Sequence, residues 1–344
     1  MIERSAPPKL IVHIGAGKTG SSSIQATLGA NEALLDAAGI KYLGLMLEHA
    51  SQKHDVDWQY KSGSPRFFKL EPAQAVQECY ALLRAELESL ANTAIHTAVW
   101  SNEWIWERGA HILPALEKLK DDGYLVEIIC YVRRHDKWIQ SAYAQWGIKH
   151  KSYPGPIRPF RQWRKGRNFE FYPTLKTWQQ AFPGAFVLFN YDAVGNVVAH
   201  FNGVIGAPEM QNSDDNITPS AEVLAAWAVF NARYTNEVVA DSFVSFLRRT
   251  GSLDQDALAL PELVELLPQQ NDLEELRREF SEDRALVNSI LAQQGQPELA
   301  ADEVRVTASQ IDPWKMNQLL MRTVFSMHEQ LVSLENRVRK LEGD

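Results

Sequence analysis

Short apolar runs separated by amphipathic stretches fill the first part of the chain, and that alternation dictates its architecture. Runs at Leu10–Ile14, Ile40–Leu43, Ala98–Ser101, Leu125–Val132 and Phe186–Tyr191 are too apolar to leave a polar face. They read as strands buried on both sides. Helical periods lie between them: Val76, Tyr80, Leu83, Leu87 and Leu90 recur at spacings of four and three, and Asn31 stands where a cap would start a helix ending at Gly39. Strands alternating with covering helices specify an α/β fold of three layers with a mainly parallel sheet in the middle.

From about residue 216 the strand signals stop. The stretch NITPSAEVLAAWAVFN offers Thr218 or Ser220 as a helix cap and Pro219 in the first turn, and the rest reads as helix. The expected organisation is therefore an α/β core at 1–215 and a helical region at 216–344. The chain closes on Leu320, Val324, Met327, Leu331, Leu334, Val338 and Leu341, whose alternating spacings of four and three make a heptad seam over 320–341. Two roles fit it equally: packing onto the chain's own body, or self-association into a homo-oligomer.

Composition and charge narrow the classes. With 344 residues and 45% hydrophobic content the chain can bury a substantial core. The polar start, Met1–Lys9, runs straight into a strand, and no apolar run reaches about 20 residues. The expectation is a cytoplasmic protein without a membrane span. Cys79 and Cys130 fall in a helical and a strand-like stretch with no Cys or His cluster nearby, so they read as inert core thiols. A net charge of −8 disfavours general nucleic-acid binding, yet the charge is uneven. Between Lys137 and Phe169 no acid interrupts Lys137, Lys149, Lys151, Arg158, Arg161, Arg164, Lys165 and Arg167. That window could face an anion. Asp254–Asp283 carries ten acids against Arg277 and Arg278 and reads as a solvated helical face.

The chemistry concentrates in HIGAGKTGSSSIQATL, directly after the first strand. Gly15, Gly17 and Gly20 allow a tight turn, and Gly17, Lys18, Thr19, Gly20, Ser21 and Ser22 lead into a helix carrying Ile24 and Leu28. Backbone N–H groups at a helix start, a lysine at the tip and hydroxyls beside it make a phosphate cradle. It is not a Walker A motif, because GxxxxGK[ST] needs glycine at position 12, where this chain has Val12. A Walker B strand ending in Asp is missing too: VEIICYVRR ends in arginines. A second junction, YVRRHDKWIQSAYAQW, sets Arg133 eight residues before Ser141. Strands of a parallel sheet present their C-terminal ends on one edge, so two anion-binding groups are expected there. A nucleotide with two separated phosphates suits them.

These two stretches resemble the 5′-phosphosulfate loop and 3′-phosphate motif of sulfotransferases that use 3′-phosphoadenosine 5′-phosphosulfate (PAPS), particularly the bacterial carbohydrate-type members. The stretches AVWSNEW, TLKTWQQAFPGAFVLFNYD and NITPSAEVL are similar to further family segments, and the resemblance covers roughly residues 9–235. It implies a P-loop NTPase-like sulfotransferase topology and sulfuryl transfer from PAPS to a hydroxyl or amine of a carbohydrate or related acceptor, with 3′,5′-bisphosphate product and no metal. Lys18 would stabilise the bridging oxygen, and Arg133 with Ser141 would hold the 3′-phosphate. Two departures stand out: Gly17 replaces a proline common before the lysine, and the Arg-Lys-Gly of WRKGRN lies about thirty residues after Arg133, earlier than in the family's cytosolic branch.

An acceptor hydroxyl needs a general base. Four residues are candidates: Glu48, His49 and His54 after the second strand, and Glu103 after the third. The resemblance places a catalytic Glu or His in the first segment and an acid near the second. Trp104 and Trp106 flank Glu103 as a possible wall for a sugar ring. Two other readings compete: a nucleotide or small-molecule kinase with a degenerate P-loop, and a catalytically silent binding member of the fold.

Overall fold

The computed structural model describes residues 7–53, 56–210, 221–232, 234–238, 266–301 and 312–342. His54, Thr218, Pro219, Ser220 and the acids of 254–265 lie outside the described residues. The chain divides into two compact units, each drawn from several segments. The first comprises Met1–Arg134, Glu170–Ile217 and Phe280–Ala300; the second comprises His135–Phe169, Thr218–Glu279 and Ala301–Asp344.

In the first unit β1 (Lys9–His13), β2 (Ile40–Tyr42), β3 (Thr97–Ser101), β4 (Val126–Val132) and β5 (Phe186–Asn190) form one sheet in the order β2-β3-β1-β4-β5. Every pairing is parallel. All five expected strands are present, each displaced by at most one residue at either end, because a two-sided core demands uninterrupted apolar runs. The helices are α1 (Ser21–Ala30), α2 (Glu32–Ala37), α3 (Ser64–Phe67), α4 (Pro72–Leu90), α5 (Leu113–Asp121), α6 (His135–Ala142), α7 (Phe160–Arg164), α8 (Tyr172–Ala181), α9 (Val197–Ile205), α10 (Ala221–Asn231), α11 (Gln270–Glu279), α12 (Ser281–Gln293) and α13 (Pro313–Glu342).

One sheet face, with Ile11, Val99, Ile129, Tyr131 and Phe189, packs on Ile24 and Leu28 of α1 and on Val198, Phe201 and Ile205 of α9. The alternate residues Leu10, Val12, Trp100, Ile128 and Leu188 are equally buried, and α4, α5, α8 and α12 supply the third layer. The expected α/β fold with a helical C-terminal region is the one observed.

Three local expectations need correction. The buried face of α4 runs through Ala75, Cys79, Leu82, Leu83, Glu86 and Leu87, so Val76 and Tyr80 lie at its margin. Buried Glu86 is tolerated there because Ser51 Oγ and Gln52 N donate to its carboxylate at 2.8–2.9 Å. Asn31 does precede α2, but its side chain makes no cap; its Nδ2 donates to the Thr27 carbonyl of α1 at 2.8 Å. Nor is the acidic stretch simply a solvated face. Asp283 is buried and accepts the N–H groups of Phe171 and Tyr172 at 3.0 Å, satisfying the start of α8.

In the second unit α6 continues into a π-helical segment, Tyr143–Lys149, which packs on α10. Here the basic window meets the acidic helix α11. Arg161 Nε lies 2.5 Å from buried Asp272, and Arg164 bridges Glu275 and Glu279 at 2.6 and 2.7 Å. Lys151, itself buried, donates to the Gly155 and Tyr234 carbonyls. Arg158, Arg167 and Lys149 stack over Tyr153, Trp163 and Trp227. Most of the window therefore serves the unit's own packing, with Lys165 exposed.

Candidate functional site

The C-terminal ends of β1, β4 and β5 meet around Tyr191. From β1 comes the glycine loop, residues 14–20, whose first part is tied to β4: Ile14 N donates to Ile129 O and Ala16 N to Tyr131 O. Beyond it Gly17, Lys18 and Gly20 adopt φ of 61°, 50° and 84°. A proline is confined near φ −65°, so Gly17 lets the chain take a course that a proline at this position would exclude. Lys18 in the left-handed region is strained, a condition that persists where surrounding structure holds it. At Gly20 a Cβ would stand 2.5 Å from Val197 Cγ1 and 3.4 Å from Tyr191 Cε2, so the loop lies directly on the turn after β5.

The loop delivers α1 with no side-chain cap on its N-terminus. Its first N–H groups and the positive end of its dipole are set for an anion. Two buried side-chain atoms beneath the loop also lack a hydrogen-bond partner: His13 Nε2 and Thr19 Oγ1. A Cβ on Gly15 would lie 3.3 Å from the former and 3.7 Å from the latter, which puts both under the same turn. His13 ends β1 fully buried, sharing a 2.8 Å hydrogen bond between Nδ1 and Ser101 Oγ of β3. Burial lowers its pKa to about 3, so the ring is neutral at ordinary pH and one nitrogen carries one proton. Both orphaned atoms lie beneath the loop without solvent access, so they are polar groups that the turn itself leaves unsatisfied. The sequence carried a signal for His13, a polar residue inside the apolar run LIVHI.

Arg133 leaves β4 on the same edge. Its guanidinium carbon lies 5.2 Å from the Tyr191 ring centroid, and its Nε lies 3.4 Å from Asp192 Oδ1. Asp192 is itself fixed, accepting Arg134 N at 3.0 Å through its other oxygen. Tyr191 thus stands between the glycine loop and Arg133, and Asp192 lies beside the arginine as an ion-pair partner that makes no hydrogen bond to the buried Nε. Neither residue was foreseen, since β5 reads in the sequence only as a core strand. Ser141 lies half-buried on α6, in the second unit.

On the other side of β1, Asn102 Nδ2 donates to Leu45 O at 2.8 Å and Asn102 Oδ1 caps Trp104 N at 2.9 Å, joining the β2 and β3 ends. Glu103 follows, its Oε2 accepting from Gln25 Nε2 of α1 at 2.6 Å. Gln25 also donates to Ser101 O, so the helix that starts at the glycine loop holds this carboxylate. Glu48 is differently employed. Its oxygens accept Leu45 N at 3.2 Å and Met46 N at 2.6 Å, closing the turn after β2. His49 sits 2.7 Å from Glu32 and 3.8 Å from Glu48. The phenol of Tyr42 between them is pushed up by burial first and then by Glu48, Glu103 and Glu32. Trp104 is 39% exposed, stacks on Phe68 with planes 10° apart, and has Arg108 4.7 Å from its centroid. Trp106 is buried against Phe171.

Neither strand adjoining β1 ends in a carboxylate: β3 ends in Ser101 and β4 runs into Arg133. Among the described residues no three His, Cys, Asp or Glu side chains converge as a metal site, and no helix is long and apolar enough to cross a membrane.

No protein-family model matches the chain. An uncharacterised protein of Archaeoglobus fulgidus is 28% identical over 171 residues, covering 45% of this chain and 45% of that protein, so the match spans less than half of the curated relative. Among solved structures, a sulfotransferase from Alicyclobacillus acidocaldarius is similar over 83% of this chain and 96% of that one, with 12% identity and a TM-score of 0.36.

Proposed function

We propose that the protein is a sulfotransferase that moves a sulfuryl group from PAPS to a hydroxyl of a carbohydrate or related acceptor. The reading is carried by one observation: a glycine loop with a lysine and an uncapped helix start stands across Tyr191 from an arginine paired with Asp192. A nucleotide phosphorylated at both its 5′ and 3′ ends is the ligand class such a pair fits. PAPS supplies an activated sulfuryl group, and the chain's own residues bind, orient and stabilise. Backbone N–H groups at the α1 start hold the 5′ oxygens. In the tautomer where Nδ1 accepts from Ser101, His13 Nε2–H is a neutral donor beneath the loop. Lys18 places a cation where negative charge grows on the leaving side, and Arg133 receives the 3′-phosphate.

Glu103 is the base we assign to the acceptor hydroxyl. It hangs beside α1 on Gln25, whereas both Glu48 oxygens are engaged by its own turn. The half-exposed Trp104 offers an apolar face next to it for a sugar ring. The kinase reading lacks the strand-terminal acid that would hold Mg²⁺, since neither strand beside β1 ends in one.

Thermal unfolding with added nucleotides tests the proposal. Adenosine 3′,5′-bisphosphate without metal should raise the midpoint by several degrees, as expected for a ligand at about a hundred times its Kd. Stabilisation by ATP with Mg²⁺ and none by the bisphosphate would replace the proposal with the kinase reading.

A further inference from the structure

Six of the seven seam positions of α13 lie bare; Met327 is half-buried, and the helix also packs on α10. Leu320, Val324, Leu331, Leu334, Val338 and Leu341 are between 47% and 87% exposed, while the stripe is uninterrupted for three heptads. A helix that buried this stripe on its own chain would show the reverse pattern, apolar residues covered and polar ones in water. So many exposed Leu and Val side chains in one line indicate a surface that meets a partner.

The register says which partner. With Val324, Leu331 and Val338 at a, the d positions are Leu320, Met327, Leu334 and Leu341. Valine at two of the three a positions and leucine at three of the four d positions favour two parallel strands, while Leu331 at a and Met327 at d depart from that rule. Charge agrees with the same arrangement. In a parallel pair each g position faces the e position five residues on in the other helix. Arg337 at g is followed at that offset by Glu342, and Gln330 by Glu335, so no like charges oppose each other along the sequence.

We infer that α13 is a dimerisation helix, pairing in parallel with α13 of a second copy of this chain through the 320–341 seam. Thr323, Gln330 and Arg337 then flank one side of the seam, with His328 and Glu335 on the other. The inference is independent of the sulfotransferase reading, since every residue assigned to the donor lies outside α13.

Cysteine pairing in the full chain tests both the partner and the direction. The native Cys79 and Cys130 are fully buried and do not compete. In a parallel dimer residue 338 meets its own copy at the same level, so Val338→Cys should form a disulfide-linked dimer under mild oxidation. Light scattering on wild type should give the mass of two chains at micromolar concentration. The pair Leu331→Asp and Leu334→Asp should give one chain that still unfolds cooperatively on heating. Arg337→Glu should weaken the dimer at least tenfold, and adding Glu342→Arg should restore it. A monomeric wild type overturns the inference, as does a dimer indifferent to the Asp substitutions. A dimer in which Val338→Cys does not cross-link overturns the parallel register, because an antiparallel pair sets residue 338 against the far end of the partner's seam.

Discussion

Burial of His13 between Tyr131 and Phe201, whose ring centroids lie 5.7 and 5.1 Å away, lowers its pKa to about 3. The unfolded chain binds a proton near pH 6.5, and the folded chain does not until far lower. The stability that this difference contributes is complete above pH 6.5 and is lost as pH falls toward 3, at up to about 1.4 kcal/mol per unit. Between pH 6.5 and 5 the loss should be roughly 1.5 kcal/mol. His13→Asn removes the titration, so urea unfolding at the two pH values should show wild type losing that much more than the variant. His200, lowered in the same direction by burial, contributes to both proteins and drops out of the difference. An equal loss in the two proteins contradicts a buried neutral His13. At this scale the sequence was uneven: Lys18, Arg133 and Glu103 were legible because each stands at a strand-to-helix junction. Tyr191, Asp192 and Gln25 were not, because their roles arise from contacts with segments far along the chain.

The elements were easier to read than their faces. Five apolar runs became five strands, since a strand buried on both sides leaves no other pattern. The α4 stripe came out displaced because buried Glu86 and Cys79 belong to its inner face, and a polar residue satisfied by Ser51 and Gln52 looks in sequence like a surface one. Junctions between elements carry the sharpest test. Gly20 joins the loop to α1 at φ 84° and approaches Val197 of α9 too closely for a side chain. Gly20→Ala should destabilise the fold by roughly 1–3 kcal/mol, combining left-handed strain with overpacking. Adding Val197→Ala relieves only the overpacking, so a double-mutant cycle measured by urea unfolding should return part of the loss. Full recovery would mean that backbone conformation at Gly20 costs nothing, and a neutral Gly20→Ala would contradict the close approach itself.

Across the whole molecule, charge is sorted by purpose. The basic window that looks in sequence like an anion-binding surface is largely consumed by Asp272, Glu275, Glu279 and aromatic faces within the second unit. Sequence could not reveal this, because the acids that meet it lie more than a hundred residues away. The first unit instead directs Lys18 and Arg133, from two adjacent parallel strands, to one sheet edge. In the function proposed above, these two cations read different phosphates of one nucleotide. Calorimetric titration of wild type and Arg133→Ala with adenosine 3′,5′-bisphosphate and with AMP measures this directly, with Lys18→Ala as the control. Wild type should prefer the bisphosphate at least tenfold, the scale of about 1.4 kcal/mol for a charge-assisted contact. Arg133→Ala should bind both nucleotides alike, and Lys18→Ala should weaken both while keeping the preference. Equal binding of AMP and the bisphosphate by wild type, or a preference that survives Arg133→Ala, would contradict the account.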